Sequence, residues 1–169
     1  SLGVAGVNSA NDRALGSQNL NDANTTMRFG LQLSNATGLT LTGFTLQYTG
    51  EQWRAIGGEN GADKLTFEYQ IVAAGSGNLI NSSTGWLPVP QLDFIAPIFG
   101  IGTSSPLDGN AAANRRVLSA TVTGINWLAG TELWLRWSDH SPAENSNGSR
   151  RSAMAGDDLS ISAVPEPGS

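Results

Sequence analysis

Glu51, Trp53 and Arg54 close the run Tyr48-Thr49-Gly50-Glu51-Gln52-Trp53-Arg54. An indole ring flanked by charged groups can stack on a sugar ring and hold its hydroxyls. The same trio can instead plug the end of a β core, with Glu51 paired to an arginine. Trp134 and Arg136 offer a second constellation. They alternate with Leu133, Leu135 and Trp137, so an inward face for those three turns Trp134 and Arg136 outward. An outward Trp beside an Arg is a platform for a sugar ring or a partner chain, unless a loop or second layer covers it.

Asp157 and Asp158 supply hard oxygen ligands. Asp157 shares parity with Leu159 and Ile161, which predicts that it faces inward. A buried carboxylate needs a partner. Arg13 or Arg54 would serve. A calcium ion would also serve, held with help from Asp158, Asp12 or Asp139, although the spacing is not that of an EF-hand loop. Both readings stand on the sequence.

Catalytic arrangements are poorly supplied. His140 is the only histidine and has Asp139 beside it, but there is no Gly-x-Ser-x-Gly elbow to carry a serine nucleophile. Glu51, Glu68 and Glu132 could be paired on paper for glycoside cleavage, yet no pattern brings two of them to one cleft. Cysteine is absent, which removes disulfides, thiolate metal sites and a cysteine nucleophile. The chain reads as a binding or structural protein, not an enzyme.

The elements that must position these residues are strands. Period-two alternation recurs along the chain: Met27, Phe29, Leu31 and Leu33; Phe44, Leu46 and Tyr48; Leu65, Phe67, Tyr69 and Ile71; Leu118, Ala120 and Val122; Leu133, Leu135 and Trp137; Leu159 and Ile161. Glycine- and asparagine-rich gaps separate these runs. Weaker strands are expected near Leu2–Val7, Arg13–Leu15 and Leu92–Ile95. Each run buries one face, as in antiparallel sheets packed face to face. The prediction is an all-β antiparallel sandwich, a jelly roll, over residues 1–163. Its core should contain Phe29, Leu31, Phe44, Leu46, Phe67, Tyr69, Leu133, Leu135 and Trp137. A long irregular connection should run from Phe94 to Asn114, with one helical turn at Asn110–Asn114. Residues 164–169, with Pro165 and Pro167, read as an extended linker.

The surface implied by composition is unusual. Only 14% of the 169 residues are charged and the net charge is −5. Asn, Ser, Thr, Gly and Gln must therefore cover the outside, which suits contact with sugars or with copies of the same chain. Basic residues pair only at Arg115-Arg116 and Arg150-Arg151, too few to track a phosphate backbone, so nucleic acid is not an expected partner. No apolar run approaches the ~20 residues of a membrane span, and no signal peptide stands at the start. An exported protein would be present here in mature or trimmed form.

Three stretches carry a resemblance. They are Asp12-Arg13-Ala14-Leu15-Gly16-Ser17, the run Tyr48–Arg54, and Leu133-Trp134-Leu135-Arg136-Trp137 followed by Gly156-Asp157-Asp158-Leu159-Ser160. Together they resemble the exported β module of bacterial proteins with a PEP-CTERM sorting signal, and Val164-Pro165-Glu166-Pro167 looks like the start of that signal. The resemblance implies export to the surface of a Gram-negative bacterium, often one that makes extracellular polysaccharide, and implies no catalytic residues. The family's membrane span and basic tail do not follow in this chain. The family commonly ends its domain with a His-Gly-Leu-Ala-Ile-Asp-Asp type of run, whereas here His140 is followed by the longer and more polar Ser141–Ser149.

Two functions follow as expectations. One is a structural, matrix or adhesion module that associates with itself, through the uncharged segment Leu2-Gly3-Val4-Ala5-Gly6-Val7 or the tail 163–169. The other is a carbohydrate-binding module for extracellular polysaccharide, using Trp53, Trp134, Arg136 and Glu51.

Overall fold

A computed structural model describes residues 14–18, 26–58, 61–79, 84–140 and 151–166. The described residues form ten strands in two sheets: β1 (Leu15–Gln18), β2 (Met27–Ser34), β3 (Leu41–Ala55), β4 (Lys64–Val72), β5 (Leu87–Pro88), β6 (Phe94–Ile95), β7 (Ser105–Pro106), β8 (Arg115–Trp127), β9 (Glu132–His140) and β10 (Ala153–Pro165). The first sheet runs β1-β10-β3, with β7 and β8 both paired to the far side of β3. The second runs β2-β9-β4, with β5 and β6 on β4. All of these pairings are antiparallel. The expected all-β sandwich is the observed architecture.

The alternation of apolar residues places the core between the sheets. Phe44, Leu46 and Tyr48 of β3 meet Leu65, Phe67 and Tyr69 of β4 and Leu133, Leu135 and Trp137 of β9. Phe29 and Leu31 of β2, the last strand of its sheet among the described residues, are only partly buried, yet they pack against the same cluster. Trp137 organises the rings. Phe29 stacks on it at 5.6 Å, while Tyr48 and Phe67 meet it edge-on at 5.2 and 5.0 Å. Such offset and edge geometries suit the quadrupole of aromatic rings.

Several expected boundaries move. Leu92–Ile95 splits into a 3-10 turn, Pro90–Leu92, and the two residues of β6. The turn expected at Asn110–Asn114 is a 3-10 turn over Ala112–Asn114. β10 continues to Pro165, past the limit at 163, and Glu166 N–H still reaches Thr40 O at 3.3 Å. Proline is tolerated there because it stands at the end of the strand. The expected strand Leu2–Val7, Arg13, and the loop Ser141–Ser149 lie outside the described residues.

One correction bears on the candidate site. Asp157 pairs with Thr49 and Ser160 with Gln47, so Asp158 and Leu159 together oppose the single residue Tyr48. This is a β-bulge, with Asp158 in the left-handed region at φ 51°. The extra residue breaks the parity that linked Asp157 to Ile161. Asp157 is half-buried, not a core carboxylate.

Candidate functional site

The run Tyr48–Arg54 lies on the second half of β3, where both faces of the strand are covered. On the inner face the Tyr48 hydroxyl donates to Leu92 O at 2.6 Å. Burial pushes this phenol's pKa up, which keeps the donor proton in place. Gln52 is fully buried and clamps a loop. Its Oε1 accepts Ile98 N–H at 2.9 Å, its Nε2 donates to Ile98 O at 2.8 Å, and Nε2 also reaches Ser152 Oγ at 3.2 Å. On the outer face Trp53 Nε1 donates to Glu51 Oε2 at 3.0 Å. Gly109 lies so close over the indole that a Cβ there would fall 2.3 Å from Cε2. Trp53 is 5% exposed and Glu51 1%. Trp53 packs with Ala14, Ala153 and Ala155 in a second apolar cluster outside the main core.

Trp134 and Arg136 do face away from the core, as alternation requires, but they are not an open platform. The segment after β4 folds across them. Gly77 approaches Trp134 so closely that a Cβ would fall 2.0 Å from Nε1. Trp134 Nε1 donates to Glu132 Oε2 at 2.9 Å, and Gly75 N–H donates to Glu132 Oε1 at 2.9 Å. The Gly75 and Trp134 donors hold the Glu132 carboxyl below its ordinary range. Arg136 is 4% exposed. Its Nε donates to Glu68 Oε2 at 2.9 Å, and its guanidinium stacks 3.9 Å from the centroid of Trp86. The outward Trp–Arg pair is thus roofed by a loop, a contact no local pattern announces.

A third polar group closes one end of the sandwich. Asp63, just before β4, accepts Ser152 N–H at 2.7 Å through Oδ2, while its Oδ1 has no hydrogen-bond partner. Asp139, near the end of β9, accepts Ser17 Oγ at 2.9 Å. Both carboxylates are fully buried. The hydrogen bonds therefore tie β1 to β9 and the start of β10 to both β3 and β4. Sequence reasoning assigned no role to Asp63, which belongs to no recognisable motif, nor to Gln52, although Gln52 lies within the run Tyr48–Arg54 and shares the inward parity of Phe44, Leu46 and Tyr48.

The expected calcium ligands do not converge. Asp157 Oδ1 accepts the N–H of Asp158 at 2.8 Å, and Thr49 Oγ1 donates to Asp158 Oδ2 at 3.3 Å. Asp139 belongs to the closed end of the sandwich, and Asp12 lies outside the described residues. Among the described residues no three His, Cys, Asp or Glu side chains gather in a way that could hold a metal ion. No ion pair joins Asp157 to Arg54 among the described residues; the two pairs found there are Lys64–Asp93 and Arg136–Glu68.

No protein-family model matches the chain, and no curated protein matches it either. No helix among the described residues is long and apolar enough to cross a membrane.

Proposed function

We propose that this chain is a non-enzymatic structural, matrix or adhesion module of a bacterial surface protein, working outside the cell and associating with copies of itself. The observation that carries the reading is how the aromatic and charged side chains are used. Trp53, Glu51, Trp134, Arg136, Glu68 and Glu132 each hold a protein partner, and two covering loops sit on them. Such a lattice makes a rigid block with a neutral, low-charge exterior, and low charge weakens repulsion between copies. The resemblance of three stretches to the PEP-CTERM module supports the extracellular setting.

Carbohydrate binding is the competing reading, and one experiment separates the two. The chain is sedimented over a range of concentrations, and is also offered to a panel of immobilised extracellular polysaccharides. Concentration-dependent association without retention on any polysaccharide is the expected result. Retention by one polysaccharide, released by its free oligosaccharide, with a monomer at every concentration, would transfer the assignment to a carbohydrate-binding module.

A further inference from the structure

β8 ends the first sheet on the side away from β1. Nine of its residues, Arg115–Thr123, pair one-to-one with Glu51–Gly43 of β3 without a shift, which makes a long, regular edge. Among the described residues, the backbone of 117–126 bonds to β3 alone. In an antiparallel ladder alternate residues aim their N–H and C=O groups away from the neighbour, so a row of donors and acceptors lines the outer side of β8. Val117 is 65% exposed, and Ser119, Thr121 and Thr123 are exposed as well. From Val117 to Trp127 there is no charge and no proline, so two usual guards of an edge are missing.

The strand suits its own likeness. Leu118, Ala120 and Val122 face the core and are only partly buried. An antiparallel second β8, with Ala120 opposite Ala120, sets Leu118 against Val122 and Ser119 against Thr121. Apolar then meets apolar on the inner face, and hydroxyl meets hydroxyl on the outer. The only charges on the strand, Arg115 and Arg116, stand ~27–34 Å from their counterparts in this register. That is well beyond the ~10 Å over which exposed charges act in salt. A parallel neighbour in register would set arginine beside arginine. Past Thr123 the strand bows, because Gly124, Ile125 and Asn126 oppose the single residue Thr42. The bow borders a groove of about 350 Å³ lined by Tyr69, Ile71, Leu87, Ile125 and Asn126, with no cation in its wall. In the same register the partner's Arg116 falls opposite Gly124, on the inward parity of Leu118, and so over this groove. The Asn126 amide oxygen and the Tyr69 ring suit the donors and the flat face of a guanidinium.

We infer that residues 117–123 of β8 pair antiparallel with the same residues of a second copy of this chain, about a two-fold axis at Ala120, with the partner's Arg116 over the groove beside Gly124. This names the contact for the self-association reading above and rests on it. Both copies use the same surface, so the contact closes on itself and gives a dimer, not an open chain. The two first sheets then continue into one another through strand addition.

The test uses the full chain and two variants of it, Ser119→Lys and Ser119→Glu, both at an exposed position. Across the axis Ser119 lies diagonal to the partner's Ser119, within reach of long side chains. Each protein is sedimented over a range of concentrations, and the two variants are then mixed in equal amounts. Amide hydrogen exchange of the full chain is followed at low and high protein concentration. Expected are a dimer of the full chain, weakening by at least about tenfold in each variant alone, recovery in the mixture, and slower exchange at 117–123 as concentration rises. Should a variant fail to fold, exchange in the full chain decides. Variants that weaken alone and do not recover when mixed overturn the two-fold pairing. Variants that associate as the full chain does, or exchange at 117–123 that ignores concentration, overturn the β8 contact and leave self-association standing. A full chain that stays monomeric throughout overturns both.

Discussion

Gly50 of β3 lies directly against the ring of Phe94 of β6, so that a Cβ built on Gly50 would fall 2.3 Å from Phe94 Cδ2. β3 and β6 belong to different sheets, so this is a contact across the sandwich. The glycine in Tyr48-Thr49-Gly50-Glu51-Gln52-Trp53-Arg54 is therefore a spacing residue. Gly50→Ala should lower unfolding free energy by about 1–3 kcal/mol, the usual cost of overpacking a core. Combining it with Phe94→Leu should recover part of that loss in a double-mutant cycle. Equal and additive losses in urea unfolding would show that the ring is not what excludes the side chain.

This relationship also marks how far sequence reasoning reaches. The faces of β3, β4 and β9 were legible because alternation is local, and Phe44, Leu46, Phe67, Leu133 and Leu135 are all buried as expected. What covers a face was not legible. Trp134 is roofed near Gly77, and Trp53 by Gly109, through loops whose path no periodicity encodes. The parity of Asp157 failed for a different reason: a bulge adds one residue to one strand, and nothing in Gly156-Asp157-Asp158-Leu159 announces it.

Glu132 gives a pH prediction. Its carboxylate is held below the ordinary range first by Gly75 N–H and then by Trp134 Nε1–H. A depressed folded-state value means that the unfolded chain binds the proton more readily. The stabilisation is therefore complete above the unfolded pKa, about 4.3, and is lost as pH falls from there through the lower folded-state value. Glu132→Gln should flatten that part of the stability profile and leave the rest unchanged. Urea unfolding of both proteins across the acid range measures it. Parallel profiles would remove Glu132 as the source.

Asp63 is fully buried, with Oδ2 on Ser152 N–H and Oδ1 without a hydrogen-bond partner. An amide can keep the accepted bond and carries no charge to bury. Asp63→Asn should therefore match or exceed the parent in stability. Asp63→Ala, which strands the Ser152 donor, should cost about 1–3 kcal/mol. Thermal unfolding with and without a chelator accompanies the pair. A chelator-sensitive parent together with a severely destabilised Asp63→Asn would mean that the carboxylate serves a cation, contrary to this account.

The bulge offers the last test. Asp158 adopts φ 51°, the one residue other than glycine with positive φ among the described residues. A left-handed conformation costs an ordinary L-residue roughly 1–2 kcal/mol, and Gly escapes that cost. Asp158 tolerates it partly because aspartate is less averse to this region than most residues, and partly because Thr49 Oγ1 donates to its Oδ2. Comparing Asp158→Gly with Asp158→Ala separates the two effects, since both remove the carboxylate and only one retains Cβ. The glycine variant should be the more stable by about 1 kcal/mol. Asp158→Val should be the least stable of the three, because a β-branched side chain fits this region worst. If glycine and alanine unfold at the same denaturant concentration, residue 158 is not held left-handed. Asp157 would then regain the parity of Ile161, and with it an inward-facing carboxylate that needs a partner.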